Sequence, residues 1–215
     1  MTTVGGPVAV DTDMAAVLTT FRRRTARAAV MPRPVLWERR LPGKDTAMTG
    51  TLKDQTVLII GRGSGLARAI ALASMDAGAQ VIAAGRDREK LSAAYAGESG
   101  VSTETVDLTD EASIAALGGR LGAVDHVVST ASARARGRIA DLDRDAIRLS
   151  FDTKVIGPLM LAKHFAPRNN QGGSFTPFTG VAAAKIAVGT LGVAITNAAA
   201  ASAPPMTSPG PSCSP

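Results

Sequence analysis

The chain has 215 residues, 45% of them hydrophobic and 3% aromatic, and carries a net charge of +6. That is enough apolar material for one globular domain with a sizeable core. No apolar run approaches the ~20 residues needed to cross a bilayer, and no apolar stretch follows a basic start as in a signal peptide. The single cysteine, Cys213, excludes an intrachain disulfide, so a cytoplasmic location is the default expectation.

Residues 1–50 hold 8 Lys and Arg against 4 Asp and Glu, so most of the net charge lies there. The arginines cluster at Arg22, Arg23, Arg24, Arg27, Arg33, Arg39 and Arg40. Pro32, Pro34 and Pro42 break the pattern, and regular periodicity begins only after Met48. Residues 1–47 are expected to be a disordered basic extension. A nucleic-acid or acidic-membrane contact by this segment is the weaker alternative.

The first strand is expected over 56–60 and runs into Gly61-Arg62-Gly63-Ser64-Gly65. A helix is expected over 66–77, with Gly78 where a C-cap should be. A glycine-rich turn between strand and helix brings unsatisfied amides and the positive helix end to one point, which suits a phosphate. Glycines there let the backbone turn sharply and a pyrophosphate approach closely. A second strand, over 80–84, ends in Gly85-Arg86-Asp87-Arg88. In a dinucleotide-binding unit, an acid at this place meets the ribose 2′-OH of NAD, and an arginine meets the 2′-phosphate of NADP. Arg86 comes first and Arg62 adds a second cation, so NADP(H) is expected ahead of NAD(H). Alternatively Arg86 is a solvated helix-start residue, and Asp87 would reverse the preference.

Further strands are expected over 102–106, 126–130 and 174–178, with helices over 88–95, 110–121, 144–165 and 187–201. Thr109 is the expected N-cap of the third helix. Strand–helix alternation with short connections implies a parallel, doubly wound α/β sheet with helices on both faces. The domain is expected over 51–201, and residues 202–215, rich in Pro and Ser, are expected to be disordered. His126 and His164 lack ligand spacing and read as structural, and no metal site is expected.

Over about residues 52–197 the chain resembles the short-chain dehydrogenase/reductase family. Gly61 to Ala67, with Ile60 just before, resembles the family's TGxxxGIG turn. Asp107-Leu108 resembles the pair that contacts adenine. Ser129-Thr130-Ala131-Ser132 falls where the family has Asn-Asn-Ala-Gly. Asp152 to Gly157 resembles the helix that carries a structural and catalytic Asn, and Lys154 stands in that place. Gly172 to Gly180 resembles the fifth strand, which ends at a catalytic Ser, here Thr179. The resemblance implies a Rossmann-type fold and hydride transfer between NAD(P)H and a small-molecule carbonyl or alcohol. It implies cofactor contacts at Gly61, Arg62, Gly63, Ser64, Gly65, Leu66, Arg86, Asp107, Leu108, Ser129, Thr130 and Ala131. A homo-oligomer is compatible with it.

The family's Tyr and Lys are missing. The Tyr window, residues 190–193, holds no Tyr, and residues 194–197 hold no Lys. The one tyrosine, Tyr95, falls on the adenosine side. Thr179 and Lys154 are therefore the candidate catalytic residues. The Pro-rich C-terminus replaces the family's last strands, as a truncated or frameshifted chain would, and leaves the fifth strand at the sheet edge. Three readings stay open: an oxidoreductase, a non-catalytic nucleotide-binding or interaction protein, and an inactive remnant.

Overall fold

The chain divides between Thr49 and Gly50. The computed structural model describes residues 52–202 and 206–207, all in the second unit. The expected basic extension and most of the expected tail lie outside the described residues.

Five parallel strands form the sheet: β1 (Thr56–Ile60), β2 (Gln80–Gly85), β3 (Val101–Thr105), β4 (His126–Ser129) and β5 (Ser174–Pro177). A two-residue β6 (Met206–Thr207) closes one edge antiparallel, giving the order β3-β2-β1-β4-β5-β6. Helices α1 (Leu66–Asp76), α2 (Arg88–Ala94) and α3 (Glu111–Leu121) follow the first three strands. After β4 come α4 (Arg144–Phe151) and α5 (Gly157–Phe165), and after β5 comes α6 (Leu191–Ala201).

Strand β1 explains the architecture. Val57 to Ile60 are all buried, as expected of a central parallel strand covered on both faces. Leu58 and Ile60 pack with Ile114, Leu117, Leu161 and Phe165 of α3 and α5. Val57 and Ile59 point the other way, onto Ala71 and Leu91 of α1 and α2. Alternate side chains thus serve two helix layers. Each fully buried Leu, Ile or Phe contributes roughly 1.5–3 kcal/mol over the exposed state.

Four expectations need correction. Asp110, not Thr109, caps α3, accepting from the Ala112 amide at 2.9 Å. The Thr109 amide and hydroxyl are already turned onto Asp107 Oδ1, at 2.9 and 2.8 Å. The single helix expected over 144–165 carries a π-helical turn at Asp152–Ile156 between α4 and α5. It falls where Gly157 presses on Leu108, so closely that a Cβ would lie 2.8 Å from the Leu108 Cβ and carbonyl oxygen. The helix expected from 187 begins at Leu191, because Thr190 Oγ1 bonds the Ala187 amide and carbonyl in a tight turn.

The tail expectation also fails in part, since Met206 and Thr207 pair with Phe175 and Ser174. These two residues lie between prolines and keep their amide donors, so they can add a ladder. Strand β5 is therefore covered along Ser174–Phe175. Pro177 is tolerated farther along. The Ser174 and Phe178 amides point to β4, onto Asp125 O and Ser129 O at 2.9 Å, so by alternation the nitrogen of Pro177 points to the other side.

Candidate functional site

The chain builds β1, β2 and β3 outward in one direction, then returns to lay β4 and β5 on the other side of β1. At that switch point the C-terminal ends of β1 and β4 diverge, where open α/β sheets take their ligands. A cleft of about 930 Å³ lies there, and a second hollow of about 420 Å³ adjoins it at the end of β2.

The glycine turn forms the floor. The Gly61 amide donates to Ala84 O at 2.9 Å, and the Thr130 amide and hydroxyl donate to Ile60 O at 2.9 and 3.0 Å. The strand ends are locked so tightly that a Cβ on Gly61 would lie 2.5 Å from Thr130 Oγ1 and 2.7 Å from Ala67 Cβ. Gly65, at φ +57°, precedes α1 and supplies no side-chain cap. A Cβ there would meet nothing within 4 Å, so this glycine faces open space. The amides of Leu66, Ala67 and Arg68 precede the first intrahelical bond, from Ala69 N–H to Gly65 O at 3.0 Å. They lie at the positive end of an 11-residue helix.

The outer end of the cleft lies over β2. Arg62, Ser64, Gly85, Arg86, Asp87 and Lys90 line the smaller hollow. Asp87 is occupied: its side chain caps α2 by accepting from the Lys90 amide at 3.0 Å. Those hydrogen bonds, from the Lys90 side chain first and then its amide, hold the carboxyl below its ordinary pKa. Arg62 and Arg86 have no hydrogen bond or ion pair among the described residues. Asp107, Leu108, Thr130 and Ala131 line the main cleft. Gly63 and Ser129 do not. Gly63 packs under Leu91, Ala94 and Tyr95, and Ser129 is 3% exposed with its hydroxyl unpartnered among the described residues. Tyr95 is core as well, 4% exposed, its phenol pushed up by burial against the opposing pull of Arg68.

The inner end is built by the π-helical turn, α6 and the loop after β4. Thr153, Lys154, Thr179, Val193 and Asn197 line it. Lys154 is half-buried, and desolvation first, then the charge of Arg134, lowers its pKa from the usual lysine value. Thr179 Oγ1 donates to the Asn197 backbone carbonyl at 2.8 Å, so its proton is engaged in anchoring α6. Asn197 is only 4% exposed, and its Oδ1 has no partner among the described residues. The sequence reading passed over Asn197, Arg134 and Arg136, all of which line the cleft. Position 197, four residues beyond Val193, was the available signal for Asn197.

His126 bonds Ser174 Oγ and Gln55 Oε1 at 2.8 and 3.1 Å, and His164 bonds Glu111 at 3.0 Å. Both are structural. No helix among the described residues is long and apolar enough to cross a membrane.

The family model for short chain dehydrogenases matches residues 55–183. The chain is 38% identical over 104 residues to a 2-keto-3-deoxy-L-fuconate dehydrogenase of Xanthomonas campestris, covering 48% of this chain and 35% of that one. A short-chain dehydrogenase/reductase structure from Mycobacterium ulcerans aligns with a TM-score of 0.62 at 29% identity, over 69% of this chain and 59% of that one. BdcA, solved in complex with NADPH, shares the fold at 22% identity with a TM-score of 0.63, over 68% and 61% of the two chains. The chain spans between about a third and a half of the length of the curated relatives it matches.

Proposed function

The chain belongs to the short chain dehydrogenase family, and on that premise we propose that it binds NADP(H) and uses it to interconvert a small carbonyl compound and its alcohol. The observation that carries the cofactor reading is the pairing of an open glycine cradle at Gly65 with two guanidinium groups at the outer end that are unpaired among the described residues. The turn glycines and the first amides of α1 would hold the pyrophosphate. Arg86, with Arg62, would hold the 2′-phosphate, for which the planar guanidinium fork is well matched. Asp107 and Leu108 would border the adenine, and Thr130 and Ala131 the middle of the cofactor. When bound, the nicotinamide supplies or accepts the hydride.

The chain's own residues must handle the proton. Arginines aside, Lys154 is the one titratable side chain lining the inner end among the described residues. It is the proposed general acid for reduction, donating from Nζ to the oxygen that becomes the alcohol. Its lowered pKa moves it toward the range in which such groups work. Thr179 positions α6, and through it Asn197, whose unpartnered Oδ1 can accept from a ligand hydroxyl at the place where the family carries Lys. A neutral amide cannot lower a neighbour's pKa as an ammonium does, so turnover is expected to be slow.

A second reading, a non-catalytic nucleotide-binding protein, is favoured by the engaged hydroxyl of Thr179 and the lack of any tyrosine at the inner end among the described residues. The discriminating experiment follows nicotinamide absorbance with a panel of small ketones and quinones. The enzyme reading expects weak turnover that falls a further 10²–10⁴-fold in Lys154→Met, the range for general acid–base assistance. Cofactor binding without turnover on any substrate would establish the second reading.

A further inference from the structure

The proposed cofactor uses the cations at the outer end of the cleft and leaves a second set unexplained. Arg134 and Arg136 line the inner end together with Lys154. Both arginines are exposed, and neither has an ion pair or hydrogen bond among the described residues. They are separated by Ala135, which is 1% exposed and pressed against α6, where a Cβ on Gly192 would lie 2.7 Å from its carbonyl oxygen. The loop is pinned on both sides of the pair. Ser150 Oγ donates to Ala133 O at 2.9 Å, and the Gly137 amide donates to Gly189 O at 3.1 Å. The two guanidinium groups are thus carried on a fixed stretch of backbone.

Their charge is not balanced within the cleft. Among the described residues Asp107 is the only acidic one lining it, and its Oδ1 accepts from the Thr109 amide and hydroxyl. Arg134 is also near enough to Lys154 to disfavour its charged form. Like charges kept together without a counter-charge cost energy in the free protein, and an anion bound among them relieves it. Guanidinium forks recognise carboxylate and phosphate oxygens in the same bidentate way.

We propose that the inner end takes an anionic carbonyl substrate, with a carboxylate or phosphate held by Arg134 and Arg136 and the carbonyl oxygen turned toward Lys154. This rests on the oxidoreductase reading above and assigns its substrate class. Anion binding draws Lys154 toward its protonated form, so the substrate helps to charge its own proton donor.

The test uses the full chain and two matched pairs of probes: acetoacetate against methyl acetoacetate, and dihydroxyacetone phosphate against dihydroxyacetone. Calorimetry first measures NADPH alone. Failure to bind NADPH sinks the cofactor reading, and the same probes on the cofactor-free protein then decide the anion subsite separately. With NADP⁺ bound, the anionic member of at least one pair is expected to bind roughly 10-fold or more tightly than its neutral partner, as charge-assisted hydrogen bonds typically give. The margin should shrink at high salt. A margin in the carboxylate pair alone assigns keto acids, and one in the phosphate pair alone assigns phosphate esters. Arg134→Gln/Arg136→Gln should abolish the margin while NADPH affinity, reporting an intact fold, is retained. Equal affinities within both pairs, or a margin that survives in the double variant, would overturn the proposal.

Discussion

The two ends of the cleft obey different rules. At the outer end every local feature agrees. A buried strand feeds a glycine turn, the turn feeds a helix, Asp87 caps the next helix, and the two arginines beside it are unpaired among the described residues. At the inner end the features conflict. Lys154 is held near Arg134, a buried amide oxygen on Asn197 lacks a partner among the described residues, and the Thr179 hydroxyl serves α6. Natural sequences are locally consistent where only folding and simple binding are at stake, and breaches collect where chemistry or recognition is specified. From this contrast we expect holding a nucleotide and acting on a substrate to be separable in this chain.

The largest effect is expected from Gly61→Val. The added Cβ alone would strike Thr130 Oγ1 and Ala67 Cβ at the junction of β1, β4 and α1. Overpacking of this kind costs roughly 1–3 kcal/mol and should both lower the melting temperature and abolish NADPH binding. Gly65→Ala offers the sharper contrast. Its Cβ meets open space, so the penalty comes from the backbone, which at φ +57° and ψ −127° suits glycine and costs another residue on the order of 1–3 kcal/mol. NADPH affinity should fall because the methyl group enters the cradle, and a variant that still binds NADPH as the parent does would remove Gly65 from the site.

Asn197→Leu probes the inner end. Replacing a buried, unpartnered amide oxygen with an apolar group of similar size should change stability by no more than about 1 kcal/mol. Cofactor affinity is expected to weaken several-fold if Oδ1 accepts from a bound hydroxyl. A large drop in melting temperature with unchanged affinity would make Asn197 a structural residue.

The smallest effect concerns pH. Lys154 has a pKa below the usual lysine value through desolvation and then Arg134. A general acid works while protonated, so kcat/KM, which reports the free enzyme, should decline as pH rises through that lowered value. Arg134→Gln removes one of the two lowering causes and should move the decline to higher pH. A decline that stays in place would separate Arg134 from the proton donor.

The outer end was legible because its signals are local. The run from Thr56 to Ile60, the glycines that follow and the arginine after β2 each declare their place in the fold within a few residues. The inner end was less legible because its features arise from tertiary contact. The π-helical turn that presents Lys154 adjoins Gly157, which meets Leu108 some 50 residues earlier in the chain. The bond from Thr179 to Asn197 joins the loop after β5 to α6. The alternation of Arg134 and Arg136 reads as a solvated loop until Ala135 is seen buried against α6. Strand β6 escaped notice because five prolines dominate the composition from residue 203 onward, whereas pairing needs only two free donors.

The most direct measurement is a calorimetric titration of the full chain with NADPH and with NADH, repeated on Arg86→Ala. Arg86 follows β2, and Asp87, the acid beside it, is committed to capping α2. A charge-assisted contact to the 2′-phosphate should favour NADPH by about 1–3 kcal/mol, and Arg86→Ala should reduce that margin with little change in NADH affinity. Equal affinities for the two cofactors in the parent, or a preference for NADPH that Arg86→Ala leaves intact, would contradict the assignment of the outer end.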